Sequence, residues 1–295
     1  MVSPIAEKLD YKLIQQDVSL KKMTTWHVGG PARFFCRPNS LDEIRKAVSF
    51  ARKHDLDYRI VGNGSNILVP DEGYEGLIIQ LGNGFGEIDV TGQTVRAEAG
   101  ASLSKLATTA NEAGSQCLNF LTGIPGTLGG GVAMNAGAHG REISDYLKDL
   151  SYMDEKGEIR KVSDLSEAFG YRESPFRSPG KIVLSAEFEL DYDETQPEMS
   201  QLLRSRKNKI PYDEYTAGSV FKNPSNHEKT AGELLDEAGN KGLNVGDAVV
   251  SHQHANFILN KGHATAKNIQ NIIDISRNRV YKEFGVTLVT EVVVI

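Results

Sequence analysis

The chain has 295 residues, 33 Lys and Arg against 39 Asp and Glu, and a net charge of −6 at neutral pH. That length supports two or three domains with real cores, and the acidic balance argues against a general nucleic-acid-binding face. Two cysteines, Cys36 and Cys117, lack the spacing of a disulfide framework or a zinc site and read as buried reduced thiols, so no metal centre is expected. No apolar run approaches membrane-spanning length, and the opening MVSPIAEKLDYKLIQQD has neither the basic start nor the apolar run of an export signal. A cytoplasmic protein is the simplest expectation.

The elements alternate from the start. Residues 32–36 (ARFFC) read as a strand. Ser40 and Glu43 form a capping box for a helix to about His54, with Leu41, Ile44, Val48 and Ala51 on one face. YRIV (58–61) is a second strand that ends in the turn GNGSN (62–66), and GLIIQL (76–81) is a third. Two short strands, EIDV and TVRAEA, meet across a tight Gly92-Gln93 connection. A helix from Ser102 to Glu112 stops at Gly114. After a glycine-rich stretch come LKDLSYM, the turn DEKG, EIRKV and the alternating strand IVLSAEFEL. The acidic segment DYDETQP (191–197) reads as a boundary. Beyond it the order is helix (MSQLLRSRKNK), loop (TAGSVFKNP), helix (TAGELLDEAG), strand (ANFILN), helix (TAKNIQNIIDISRNRVYKEFG) and strand (VTLVTEVVVI). The basic run Arg204–Lys209 has the look of a solvated helix face.

The stretch Thr122–Gly140, TGIPGTLGGGVAMNAGAHG, carries the most chemistry. It holds seven glycines and no Lys, Arg, Asp or Glu. Its apolar anchors Ile124, Leu128, Val132 and Met134 indicate an ordered loop rather than a linker. Glycine removes the Cβ that would hold a ligand off, and bare amides can then cradle a phosphate. Gly62-Asn63-Gly64-Ser65-Asn66 is neither a GxGxxG fingerprint nor a P-loop, and alone it reads as a plain turn. Two such segments together suit the two phosphates of a dinucleotide, and a ligand between two domains would explain the motifs of both halves.

Other residues leave alternatives open. Arg172 in YRESPFR can clamp a carboxylate, with Tyr171 stacking or donating, or belong to a surface loop with an Arg–Glu pair. Lys222 and Asn223 suit a diphosphate or carboxylate. Ser219 lies outside a GxSxG elbow and is a turn or cap hydroxyl on sequence alone. Glu291 falls in a strand apolar on both faces. Burial there favours the neutral acid, which can donate a hydrogen bond, whereas an edge position leaves it in solvent. His252 and His254 read as turn or interface histidines.

TTWHVGGPA, VGNGSNILV, TGIPGTLGGGVAMNAGAHG, YRESPF, AGSVFKNP, HANFILN and the terminal VTLVTEV occur in this order. The set resembles the UDP-N-acetylenolpyruvoylglucosamine reductase family, flavoenzymes of peptidoglycan precursor synthesis, in its compact subtype. One departure is His139, where relatives more often carry Tyr. The resemblance implies an α+β fold of the vanillyl-alcohol-oxidase type: FAD-binding subdomains over 1–85 and 86–195, and a substrate domain over 196–295. It implies non-covalent FAD held by Val61, Gly62, Asn63, Gly64, Ser65 and Asn66, and by Gly123, Ile124, Pro125, Gly126, Thr127, Gly130, Gly131, Met134, Asn135, Ala136 and Gly137. Arg172, Ser219 and Glu291 fall on its catalytic positions, and Tyr171, Arg172, Lys222 and Asn223 on its substrate site. NADPH and the enolpyruvyl sugar nucleotide are the implied small-molecule partners of a monomer that binds neither nucleic acid nor membrane. A covalent-flavin alcohol oxidase on the same fold, or a nucleotide-sugar sensor without flavin, are the alternatives.

Overall fold

A computed structural model of the chain describes residues 13–163, 165, 168–178 and 180–295. The reading of the first residues as lacking an export signal rests largely on 1–12, outside the described residues.

Strands β1 (Ile14–Ser19) and β2 (Pro31–Cys36) lead to helix α1 (Leu41–Lys53). Ser40 caps α1 by accepting the Glu43 amide, but the Glu43 carboxylate reaches back to the Asn39 amide at 2.7 Å, one residue earlier than a capping box requires. Ile44, Ala47, Val48 and Ala51 form its buried stripe. Next come β3 (Tyr58–Val61), β4 (Ile67–Leu68), β5 (Tyr74–Gln80), β6 (Ile88–Thr91) and β7 (Thr94–Glu98). Helix α2 (Leu103–Glu112) starts at Ser102, whose hydroxyl accepts the Lys105 amide. The glycine-rich stretch contains a short helix, α3 (Leu128–Ala133), that the sequence reading took for loop. Strands β8 (Gly137–Ala138), β9 (Arg141–Glu142), β10 (Leu147–Met153), β11 (Ile159–Ser163) and β12 (Ile182–Glu189) follow.

Helices α4 (Met199–Lys209) and α5 (Ala231–Glu237) stand where the sequence places them. Strands β13 (Asn244–Val245), β14 (Ala248–Val250) and β15 (Ile258–Asn260) precede α6 (Ala266–Phe284). A capping box at Thr265 and Asn268 opens α6, and left-handed Gly285 (φ 68°) closes it. Strand β16 (Val293–Val294) is all that remains regular of the expected strand over 286–295. That segment changes partners midway: Thr290 bridges to Phe221, and β16 then runs parallel to β4. Nor is it buried on both faces, since Val289 is 60% and Val294 55% exposed while Leu288 and Val292 are buried.

The sheet orders are β1-β2-β5-β3, β11-β10-β12-β7-β6 and β13-β14-β15, with the pairs β16-β4 and β8-β9. The residues divide into two compact units, each assembled from separate segments. The first holds the described residues through Asp17, Arg33–Asn63 and Glu75–Arg204; the second holds Val18–Ala32, Gly64–Tyr74 and Ser205–Ile295. The expected spans 1–85, 86–195 and 196–295 were instead consecutive. The core of the first unit packs α1, α2 and α3 against the sheets through Phe34, Ile44, Leu77, Leu106, Leu128 and Phe188. The core of the second gathers Trp26, Val28 and Leu68 with Leu234, Ile269 and Ile273. Trp26 is fully buried; its indole donates to Ile258 O at 2.7 Å, and Asn260 Nδ2 donates to Trp26 O at 2.8 Å.

Candidate functional site

In the first unit the glycine-rich stretch is built mostly on its own hydrogen bonds. The amide of Gly123 is taken by Ser104 Oγ at 3.1 Å, and those of Leu128 and Gly129 by Ala101 O and Ala99 O, both at 2.8 Å. Gly131, Met134, Asn135 and Ala136 donate to carbonyls inside the stretch. A cradle of bare amides along its whole length is therefore not what folds. The exception is local. Thr127 faces Ser102 in a bridge closed by Leu103 N to Gly126 O and Leu128 N to Ala101 O, so the Thr127 amide points away from that pairing.

The glycines divide in the same way. A Cβ on Gly62 would lie 2.2 Å from Thr127 Oγ1, one on Gly131 2.8 Å from Ile143, and one on Gly137 2.4 Å from Arg141 O. These glycines make room for the protein itself. Among the described residues a Cβ on Gly130 would meet nothing nearer than Thr127 Oγ1 at 3.7 Å, so this backbone leaves room for a ligand. Thr122 Oγ1 is buried and has no hydrogen-bond partner among the described residues, a state that a ligand would relieve. The open Gly130 face, the outward Thr127 amide and the Thr122 hydroxyl fit a dinucleotide laid along main chain.

Arg172 sits at the tip of a two-residue turn, where Gly170 and Glu173 exchange amide–carbonyl bonds of 3.1 and 2.9 Å. Its φ is 58°, in the left-handed region that few non-glycine residues adopt. The guanidinium donates to Gly137 O at 2.9 Å and more weakly to Asn135 O, and Nη1 lies 3.4 Å from Glu142 Oε1. It also lies over the exposed ring of Tyr171, 5.0 Å from the centroid. Asn135, fully buried, spends its side chain on protein: Nδ2 donates to Glu142 Oε2 and to Gly170 O, and Oδ1 accepts the Ser144 amide. Burial holds the Glu142 carboxyl above the usual range, and the Arg172 charge opposes that shift.

In the second unit the GSVFKNP loop lies along the Val289–Glu291 segment, just before β16. Glu291 N donates to Val220 O at 2.8 Å and Lys222 N to Val289 O at 2.9 Å. Ser219 bridges to Phe257 on its other side, with Val220 N donating to Asn256 O at 2.9 Å. Left-handed Gly218 (φ 78°) turns the chain into this pairing. Ser219 and Glu291 are thus carried on paired segments, the one preceding Val220 and the other bonded to it, and both are partly buried. Asn66 joins them: its Nδ2 donates to Glu291 O at 3.2 Å, and its carbonyl accepts Val293 N at 3.0 Å. Gly64 (φ 64°) packs tightly on Met23, where a Cβ would fall 2.0 Å from the carbonyl oxygen, and Gly64 O accepts the Thr25 amide.

Sequence reasoning missed Asn256. Buried in HANFIL, it pairs its amide with both main-chain groups of Phe221, at 2.9 Å each, and so holds the loop that carries Ser219 and Lys222. Asn223 has a structural duty of its own, since its Oδ1 accepts the Ala231 amide at the start of α5. Among the described residues no group of three or more His, Cys, Asp or Glu is placed to hold a metal ion. Both cysteines are buried, and burial raises the Cys36 thiol to about 12.

A family model described as FAD binding domain matches residues 32–163, and one described as UDP-N-acetylenolpyruvoylglucosamine reductase, C-terminal domain, matches 210–295. The UDP-N-acetylenolpyruvoylglucosamine reductase of Clostridioides difficile (strain 630) is 39% identical over 95% of this chain and 92% of its own. That of Desulforamulus reducens is 40% identical over 96% of this chain and 93% of its own. Among solved structures, the UDP-N-acetylenolpyruvylglucosamine reductase of Thermus caldophilus is 36% identical and aligns over 95% of this chain and 99% of its own with a TM-score of 0.79. With relatives of this identity matched nearly end to end, the chain belongs to the UDP-N-acetylenolpyruvoylglucosamine reductase family.

Proposed function

We propose that this chain uses FAD and NADPH to reduce UDP-N-acetylenolpyruvoylglucosamine to UDP-N-acetylmuramate, a step of peptidoglycan precursor synthesis. The observation that carries the reading is the pairing of the Ser219–Lys222 loop with the Glu291 segment, in a chain of this family. The chemistry supplied by bound FAD is two-electron transfer from NADPH to the enol ether. Its main-chain holders are proposed to be Val61–Asn66 and Gly123–Gly137, with Gly130 and Thr127 the best placed on the geometry above and the Thr122 hydroxyl a further candidate.

The chain's own residues manage charge and protons. Hydride addition at the alkene drives negative charge onto the substrate carboxylate, which the Arg172 guanidinium and a protonated Glu291 are proposed to meet with fixed donors. Ser219 Oγ is proposed to give its proton to the carbanion carbon, and Lys222 to steady the alkoxide until it is reprotonated. Tyr171, Lys222 and Asn223 are proposed to line the sugar-nucleotide site; with Asn223 Oδ1 engaged by Ala231, its amide nitrogen is the group to meet the substrate.

Finer points of this reading are a cytoplasmic monomer, free of nucleic acid and membrane, whose chain divides near residues 85 and 195. Among the described residues no helix is long and apolar enough to cross a membrane. An anaerobic experiment tests the reading. NADPH should bleach the yellow enzyme, and the enolpyruvyl sugar nucleotide should restore the colour. A colourless protein that stays so with FAD points to a sensor. Colour that survives denaturation on the protein points to a covalent-flavin oxidase.

A further inference from the structure

We propose that Glu142, held by Asn135, is a positioning residue for Arg172. The inference rests on the role given to Arg172 above. The hairpin that carries Glu142 is a two-residue turn, with His139 (φ 57°) and Gly140 (φ 78°) both left-handed, the geometry favoured for tight hairpins. It sets Glu142 directly opposite Gly137. A Cβ on Gly137 would lie 2.8 Å from Glu142 Cγ, so the missing side chain is what lets the Glu142 stem lie across the hairpin.

From there the carboxylate divides its oxygens. Oε2 accepts Asn135 Nδ2 at 2.7 Å, and Oε1 faces Arg172 Nη1 at 3.4 Å. The same Asn135 amide donates to Gly170 O at 3.0 Å, the residue that opens the Arg172 turn. One buried asparagine therefore ties the base of the turn to the carboxylate that faces its tip. Three acceptors that meet the guanidinium, Asn135 O, Gly137 O and Glu142 Oε1, come from the span 135–142. A free Arg side chain samples many rotamers, and fixing it costs rotamer entropy. This frame fixes it before substrate arrives. The cost of displacement is known in kind: a shift of about 1 Å at a reacting centre can lower a rate by roughly a hundredfold.

Glu142 also offsets part of the charge that Arg172 presents. Losing it should slow the chemistry without weakening substrate binding, a split between kcat and KM that general destabilisation does not produce. The test uses the FAD-loaded enzyme and stopped-flow flavin absorbance. Glu142→Ala should slow reoxidation by the enolpyruvyl sugar nucleotide by roughly tenfold or more. Reduction by NADPH should change by less than about twofold, and in an Arg172→Ala background the second substitution should add less than about twofold. Glu142→Gln, which can serve Asn135 or Arg172 but not both, should fall between. Equal slowing in the parent and the Arg172→Ala backgrounds, or no slowing at all, overturns the proposal. If both Glu142 variants lose the flavin, the residue is structural and the proposal fails. If Arg172→Ala itself leaves reoxidation unchanged, it is the reading of Arg172 that falls, and the frame has nothing to position.

Discussion

Gly62 and Thr127 meet so closely that a single methyl group would not fit between them: a Cβ on Gly62 would lie 2.2 Å from the Thr127 hydroxyl oxygen. That hydroxyl caps α3 by accepting the Gly130 amide. Gly62→Ala should therefore displace the cap and overpack the contact, at about 1–3 kcal/mol. Thr127→Ala should cost about 1 kcal/mol alone, and the double variant should cost less than the sum. Gly130→Ala makes the opposite case. With open space beside it in a helix, it should keep or raise apoprotein stability by about 0.5–1 kcal/mol while weakening FAD binding. Thermal unfolding of apoprotein and a flavin titration separate the two. A Gly130→Ala enzyme that binds FAD like the parent would remove Gly130 from the cofactor site.

Ser219→Ala should spare flavin reduction by NADPH and slow reoxidation by the enolpyruvyl substrate by roughly a hundredfold or more. The main-chain pairing of the loop through Val220 and Lys222 does not use the hydroxyl, so the fold should be kept. Equal slowing of both half-reactions would exclude Ser219 as the proton donor.

Glu291→Gln should be milder than Glu291→Ala, because an amide still donates a hydrogen bond where the acid does. Loss of one preorganised donor costs about a hundredfold to a thousandfold in rate. The Glu291 main chain stays bound to Val220 and Asn66 in either variant. Identical rates for the two variants would sink the donor role.

His254 predicts the acid limb of stability. Its ring packs on Gly232 and edge-on to Phe257, and its Nδ1 accepts the Asn256 amide at 3.2 Å. Burial lowers its pKa, as does Lys241, while Asp236 opposes them. The folded state thus resists a proton that the unfolded chain takes up near its usual value of about 6.5. Stability should be unaffected by this group above that pH and fall as pH drops below it. His254→Gln should flatten that limb in urea titrations taken below about pH 6.5. An unchanged slope would assign the limb to other groups.

Regular elements with a clear face were legible in the chain. Helix α1 shows its Ser40 cap and its Ile44–Val48–Ala51 stripe, and α6 shows Thr265 before the helix and Gly285 after it. Strand β1 was hidden by its polar IQQDVS, with only Ile14 buried. Helix α3 was hidden by its glycines, poor helix formers that are held here by the Thr127 cap and by burial of Leu128 and Val132. The terminal segment looked like one buried strand because alternation cannot report a change of partner at Thr290. The catalytic candidates Ser219 and Glu291 could be singled out by motif. The frame around Arg172 could not, since Asn135 and Glu142 reach it across 37 and 30 residues of sequence. Nor could the glycines be sorted, because Gly62 and Gly130 look alike until the Thr127 hydroxyl is found 2.2 Å from a Cβ on the one and 3.7 Å from a Cβ on the other.

Trp26, far upstream of α5 and α6, is a full core member of the unit they build, bonded to Ile258 and Asn260. A recombinant piece cut at Ser205 would lack the indole and leave an apolar hole in the core that also holds Leu234 and Ile269. Such a piece should express as aggregate, and grafting Val18–Ala32 and Gly64–Tyr74 onto it through short linkers is the rational route to a soluble half-enzyme for ligand screening.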